Sequence, residues 1–131
     1  MKNIKDQVLF IPYELCLRMH KLGFDWNTFD CYWVPEGEKL MFWQPKKKIP
    51  KILYDQAFAW FRKKRYIASI YYSPKNIINI NSGFRYNIVF NSDNIIEGEG
   101  YYPNYEYIRL ECLKTLIDLY ENNLKNDYGD K

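Results

Sequence analysis

Between residues 105 and 124 apolar side chains recur every fourth position, at Ile108, Cys112, Leu116 and Tyr120, and Leu113 with Ile117 widens the row into a stripe. On a helix such a stripe must be covered by a second layer. Two stretches offer that layer. Residues 67–73 and 84–91 carry alternating, β-branched and aromatic residues, which is the pattern of strands with one buried side. Asn104 after Pro103 stands where a helix cap is expected. A chain of 131 residues has room for one domain built around this contact.

The remaining segments fill in around it. A helix is expected over residues 12–22, opened by Pro12, striped by Leu15, Met19 and Leu22, and closed by Gly23. Strands over 29–34 and 39–44 flank the turn Pro35-Glu36-Gly37-Glu38. Residues 46–50 read as a basic linker closed by proline. A second helix over 53–65 carries Tyr54, Ala57, Phe58 and Phe61 on one face. Residues 74–83 and 94–102 read as loops, the latter acidic and flexible around Glu97-Gly98-Glu99-Gly100, and 126–131 as a frayed tail. The order is α-β-β-α-β-β-α, an α+β fold with a four-stranded, mainly antiparallel sheet and the helices on one face. Residues 1–125 form a single domain in this reading, with Tyr54, Phe58, Phe61, Cys112 and Leu116 in one core.

Three segments carry a family likeness. They are Ile11-Pro12-Tyr13-Glu14-Leu15 leading to Lys21-Leu22-Gly23-Phe24; Leu53-Tyr54-Asp55-Gln56-Ala57-Phe58-Ala59-Trp60-Phe61-Arg62; and Leu110-Glu111-Cys112-Leu113-Lys114 with Leu116-Ile117. In this order they resemble a family of small proteins carried by gut Bacteroidetes and their phages and prophages. The third helix departs at its start, where Tyr105-Glu106-Tyr107 stands in place of a more acidic, alanine-bearing turn. The resemblance implies a mobile-element origin, and with it the cytoplasm of a host cell. It brings no activity with it.

Charge is distributed unevenly. Residues 46–65 hold eight basic side chains against Asp55, a net of +7, whereas residues 92–131 carry a net of −5. This asymmetry permits a phosphate-bearing partner, and equally head-to-tail contact between copies or nothing beyond solubility. Cys16, Cys31 and Cys112 are too few and too scattered for a disulfide framework, the first ten residues do not read as a signal peptide, and no apolar run reaches membrane-spanning length. A cytoplasmic protein with reduced thiols and no membrane contact is expected.

Candidate sites are weighed against plainer roles. Cys16 and His20 share a helix face, the spacing of a nucleophile with its base or of half a metal site, but a core cysteine beside a surface histidine explains them as well. Glu97 and Glu99 lack further ligands at a recognisable spacing and read as a solvated loop. No Walker, Rossmann, HExxH or Cys-x-x-Cys motif is present, so no cofactor or metal is implied.

The favoured surface is the sheet side that alternation leaves away from the helices, with Tyr32, Lys39, Trp43, Tyr71 and Arg85, joined by Lys46, Lys47 and Lys48. The 13 Tyr, 8 Phe and 4 Trp exceed what a small core absorbs, so some should lie in contact surfaces. The expectation is a non-enzymatic accessory binding protein that self-associates. Its partner is a host protein or a nucleotide-type ligand, whose capture would counter host defence. A nucleic-acid module and a small enzyme using Cys16 and His20 are the alternatives. Since no cysteine pair is expected, reductant should leave the melting temperature unchanged; a clear drop would reveal a disulfide and refute the reduced-thiol expectation.

Overall fold

A computed structural model describes residues 9–26, 32–33, 49–75 and 81–129. The described elements are α1 (Tyr13–Lys21), β1 (Tyr32–Trp33), β2 (Ile49–Pro50), α2 (Tyr54–Lys63), β3 (Tyr66–Ser73), β4 (Gly83–Phe90), β5 (Asn94–Glu97) and α3 (Tyr105–Gly129). The fold is of the α+β class. Its contacts cluster into two compact units, residues 1–57 and 58–131, with the division inside α2.

In the first unit α1 follows Pro12, whose extended backbone (φ −61°, ψ 153°) leads into the first turn without a side-chain cap. Its far end is closed by Gly23 at φ +105°, with the N–H of Gly23 donating to the His20 carbonyl and that of Phe24 to the Met19 carbonyl. This paired closure needs a left-handed residue after the helix, which glycine adopts without a Cβ penalty. Leu15, Cys16 and Met19 are buried along α1, together with Ile11, Phe24 and Ile52. β1 pairs antiparallel with β2, Tyr32 opposite Pro50 and Trp33 opposite Ile49. The segment expected to be only a basic linker therefore ends in a strand; Pro50, lacking an N–H, is tolerated because the ribbon is short. The expected strand over 39–44 lies outside the described residues.

The second unit is organised by α3. β3, β4 and β5 form an antiparallel sheet in that order, with Tyr66 opposite Phe90, Ala68 opposite Ile88 and Ile70 opposite Tyr86. α3 packs on this even-numbered side, burying Ile108, Cys112, Leu113, Leu116 and Ile117. Asn104 caps it as expected, its Oδ1 accepting the Tyr107 N–H at 3.1 Å. Tyr120 sits amid an edge-to-face cluster, 5.6 Å from Trp60, 5.8 Å from Phe61 and 5.3 Å from Tyr66 between ring centres. Asn123 donates to the Tyr66 hydroxyl at 2.7 Å.

The described strands make a three-stranded antiparallel sheet and a two-stranded ribbon, so the expected four-strand count is not confirmed among the described residues. Three expectations are corrected. Residues 94–97 are strand β5, not flexible loop, because the β4 edge supplies a partner for Asn94, Ile95, Ile96 and Glu97. The chain then rejoins β4 through a bridge between Tyr102 and Phe84. α3 continues to Gly129, through part of the expected frayed tail. On α2, Tyr54, Ala57, Trp60 and Phe61 are buried while Phe58 is only half-buried, so the inward face is rotated toward Trp60.

Within the acidic segment Gly98 is buried against the Tyr86 ring, and a Cβ there would overlap the ring atoms. The Tyr86 hydroxyl shares a 2.8 Å hydrogen bond with that of Thr115 on α3, and Thr115 donates to the Glu111 carbonyl. Because Phe61 is fully buried and Phe58 is not, Phe61→Ala should cost about 3–5 kcal/mol and Phe58→Ala clearly less. Chemical denaturation of the two variants would contradict the inward face described here if the order were reversed.

Candidate ligand-binding cleft and open sheet face

The side of the β3–β5 sheet away from α3 is built by odd-numbered residues, because successive side chains alternate across a strand. Antiparallel register sets them in rows: Ile67, Val89 and Ile95; then Ser69, Asn87 and Glu97; then Tyr71 and Arg85. Ile67 is 47% exposed, Ile95 63% and Tyr71 37%, so this side carries uncovered apolar surface.

At one end of the face lies a cleft of about 440 Å³ lined by Arg62, Lys63, Arg65, Ile67, Val89 and Ser92. It is an open depression and not an enclosed cavity: five of these six lining residues are exposed and Val89 is half-buried. α2 ends beside it in a turn where Arg65 adopts φ 67°, its N–H donating to the Arg62 carbonyl at 2.9 Å. That left-handed position at a helix end is ordinarily filled by glycine, and a side chain there costs about 1–2 kcal/mol. The opposite wall comes from the three-residue turn between β4 and β5, where Asn91 (φ 52°) and Ser92 (φ 69°) are also left-handed. Two consecutive left-handed residues are what a tight hairpin turn between antiparallel strands requires.

The result is three cationic side chains and one hydroxyl around a floor of Ile67 and Val89. Among the described residues, no ion pair engages Arg62 or Arg65. Asp93, in the same turn as Ser92, is not among the lining residues. Such a cleft can take an anion at its rim and an apolar or planar group on its floor.

Of the surface expected from the sequence, the structure brings Tyr71 and Arg85 together as cross-strand partners. Arg85 is less available than expected. Its Nη2 donates to the Gly98 carbonyl at 3.5 Å, lies 3.9 Å from Glu97 Oε2, and its guanidinium sits 5.0 Å from the Tyr101 ring centre. Tyr32 belongs to the ribbon of the first unit, not to this sheet. Lys39, Trp43, Lys46, Lys47 and Lys48 lie outside the described residues. Tyr72, on the even-numbered side, is 57% exposed and meets Phe84 edge-on at 5.3 Å.

Sequence reading missed Ser92, which no pattern singles out, and missed Ile95 because its segment resembled a loop. Arg62, Lys63 and Arg65 were legible as a basic cluster, but their helix-end position alone could account for them.

The other candidates have settled surroundings. Cys16 is fully buried, its thiol donating to the Ile11 carbonyl at 3.6 Å and accepting the Ile52 N–H at 3.5 Å, whereas His20 is exposed. Burial pushes the Cys112 thiol up to about 12, so it holds no thiolate near neutral pH. Among the described residues no three His, Cys, Asp or Glu side chains converge to hold a metal ion, and no helix is long and apolar enough to cross a membrane. No family model, curated protein or solved structure matches this chain.

The left-handed Arg65 leads to a stability test. Arg65→Gly relieves the backbone and should be neutral or stabilising by up to about 1 kcal/mol. Thermal melts showing a loss above that size would mean that the Arg65 side chain itself supports the fold.

Proposed function

We propose that this chain is a non-enzymatic binding protein that takes a phosphate-bearing, nucleotide-type ligand in the cleft of Arg62, Lys63, Arg65 and Ser92. The observation that carries the reading is the composition of that cleft: three cations and a hydroxyl over an apolar floor. Arginine presents a fork of donors that matches phosphate oxygens, lysine adds a point charge, and a serine hydroxyl donates a further bond. The Ile67–Val89 floor suits a sugar or base.

Binding is favoured over catalysis by the chemistry of the lining. Among the described lining residues there is no carboxylate, imidazole or thiol; the arginines stay protonated, and Lys63 is left as the one lining side chain able to move a proton. The resemblance to proteins of phages and prophages supplies a setting: an accessory protein that holds a host's phosphate-bearing signal out of reach, and so counters host defence.

The test is calorimetric titration with adenosine 5′-monophosphate and with pyrophosphate, at low and at raised salt. Binding should weaken as salt rises, since salt screens the attraction between the exposed cations and the phosphate. Arg62→Ala combined with Arg65→Ala removes two charge-assisted contacts, worth about 1.5–3 kcal/mol each. The pair should lower affinity about a hundredfold or more while the thermal transition stays cooperative. Unchanged affinity in the double variant, or no binding by the parent protein, would sink the reading.

A further inference from the structure

The cleft is not an isolated depression. It opens onto the odd-numbered side of β3 and β4, where Ile67 and Val89 form its floor and the same strands continue to Ser69 with Asn87, and then to Tyr71 with Arg85. From Ile67 to Tyr71 is four residues along one strand, about 13 Å at the usual rise. A mononucleotide anchored by its phosphate at Arg62 and Arg65 uses only the first row. Three features lie beyond its reach along the seam. Ser69 and Asn87 offer a hydroxyl and an amide side by side, the groups that hydrogen-bond to base edges. Tyr71 offers an aromatic ring 37% exposed on the same side. Arg85 beside it keeps its guanidinium near Glu97, which offsets the only carboxylate in these rows.

Resting on the phosphate-cleft reading, we infer that the ligand is a phosphodiester-linked oligonucleotide of at least two residues. It lies along the β3–β4 seam with one phosphate in the cleft and a base stacked on Tyr71. A charged end that holds backbone, followed by an aromatic platform, is the combination that single-stranded nucleic acid requires. Stacking is tolerant of base identity because every base has a π-face. Short signalling oligonucleotides and the interior of a longer strand share this chemistry, and the length of the best ligand distinguishes them.

The experiment compares three probes on the full chain: adenosine 5′-monophosphate, the 5′-phosphorylated dinucleotide pApA, and a longer oligoadenylate. The expected result is that pApA binds about tenfold or more tighter than the monophosphate, the gain typical of one stacked base. Tyr71→Ala should collapse that ratio toward one, and Tyr71→Phe, which keeps the ring, should restore it. A dinucleotide as tight as the oligoadenylate identifies a short ligand; tighter binding of the long strand identifies a polymer, and either result supports the inference. If the monophosphate binds but pApA gains nothing, or if Tyr71→Ala leaves the ratio intact, the track is wrong while the cleft reading stands. If none of the three probes binds, both are wrong.

Discussion

The covering of the α3 stripe by the even-numbered side of β3 and β4 is the contact on which the second unit depends. Ile108, Cys112, Leu113, Leu116 and Ile117 are all fully buried along α3, and Ile88 is fully buried on β4. Burying side chains of this size contributes about 1.5–3 kcal/mol each. Among the described residues no surface ion pair approaches that sum. The rings of Trp60, Phe61, Tyr66 and Tyr120 extend the same contact to the end of α2. Two consequences follow for the surface. The opposite side of the sheet is left to Ile67, Ser69, Tyr71 and their partners, and the C-terminal end of α2 is brought beside that side, where its arginines meet an apolar floor.

The parts of the fold that were legible in the sequence are those whose signal repeats. α3 repeats its stripe over several turns and carries a capping asparagine, and β3 and β4 each alternate for eight residues. What stayed hidden is short or borrowed from elsewhere. β5 has four residues, two of them adjacent isoleucines that point to opposite sides, and glycine follows at once, so nothing local marks it as a strand. Its conformation is imposed by the edge of β4. β2 ends in proline and follows a lysine run, which reads as linker until a partner strand is known. Trp60 was missed because the helix face is rotated from the one that Tyr54, Ala57 and Phe58 alone suggest.

The cleft was legible in half. Alternation placed Tyr71, Arg85 and Val89 on the open side, and the run Arg62-Lys63-Lys64-Arg65 announced positive charge. Their convergence depends on backbone geometry that residue types do not encode. Arg65 holds a left-handed conformation that its identity disfavours, and Ser92 does the same across the cleft. Arg65 meets the left-handed demand of a helix end and Ser92 that of a hairpin turn, so each is set by chain geometry that its residue type does not announce. Arg85 shows the opposite limit: its strand position was readable, but its attachment to Gly98, Glu97 and Tyr101 was not.

The packing of Tyr86 over Gly98 also bears on how this unit breathes. The ring lies against a backbone with no side chain to yield, and its hydroxyl is tied through Thr115 to the Glu111 carbonyl of α3. Rotation of such a ring requires the neighbouring chain to move aside. The segment that follows β5 is therefore latched to the helix through one tyrosine, although its composition, two glutamates and two glycines, suggests an independent hinge. Opening this segment means breaking the tie to α3 as well as the bonds from the Gly98 and Tyr102 N–H groups to β4 carbonyls, which couples its local stability to that of the sheet.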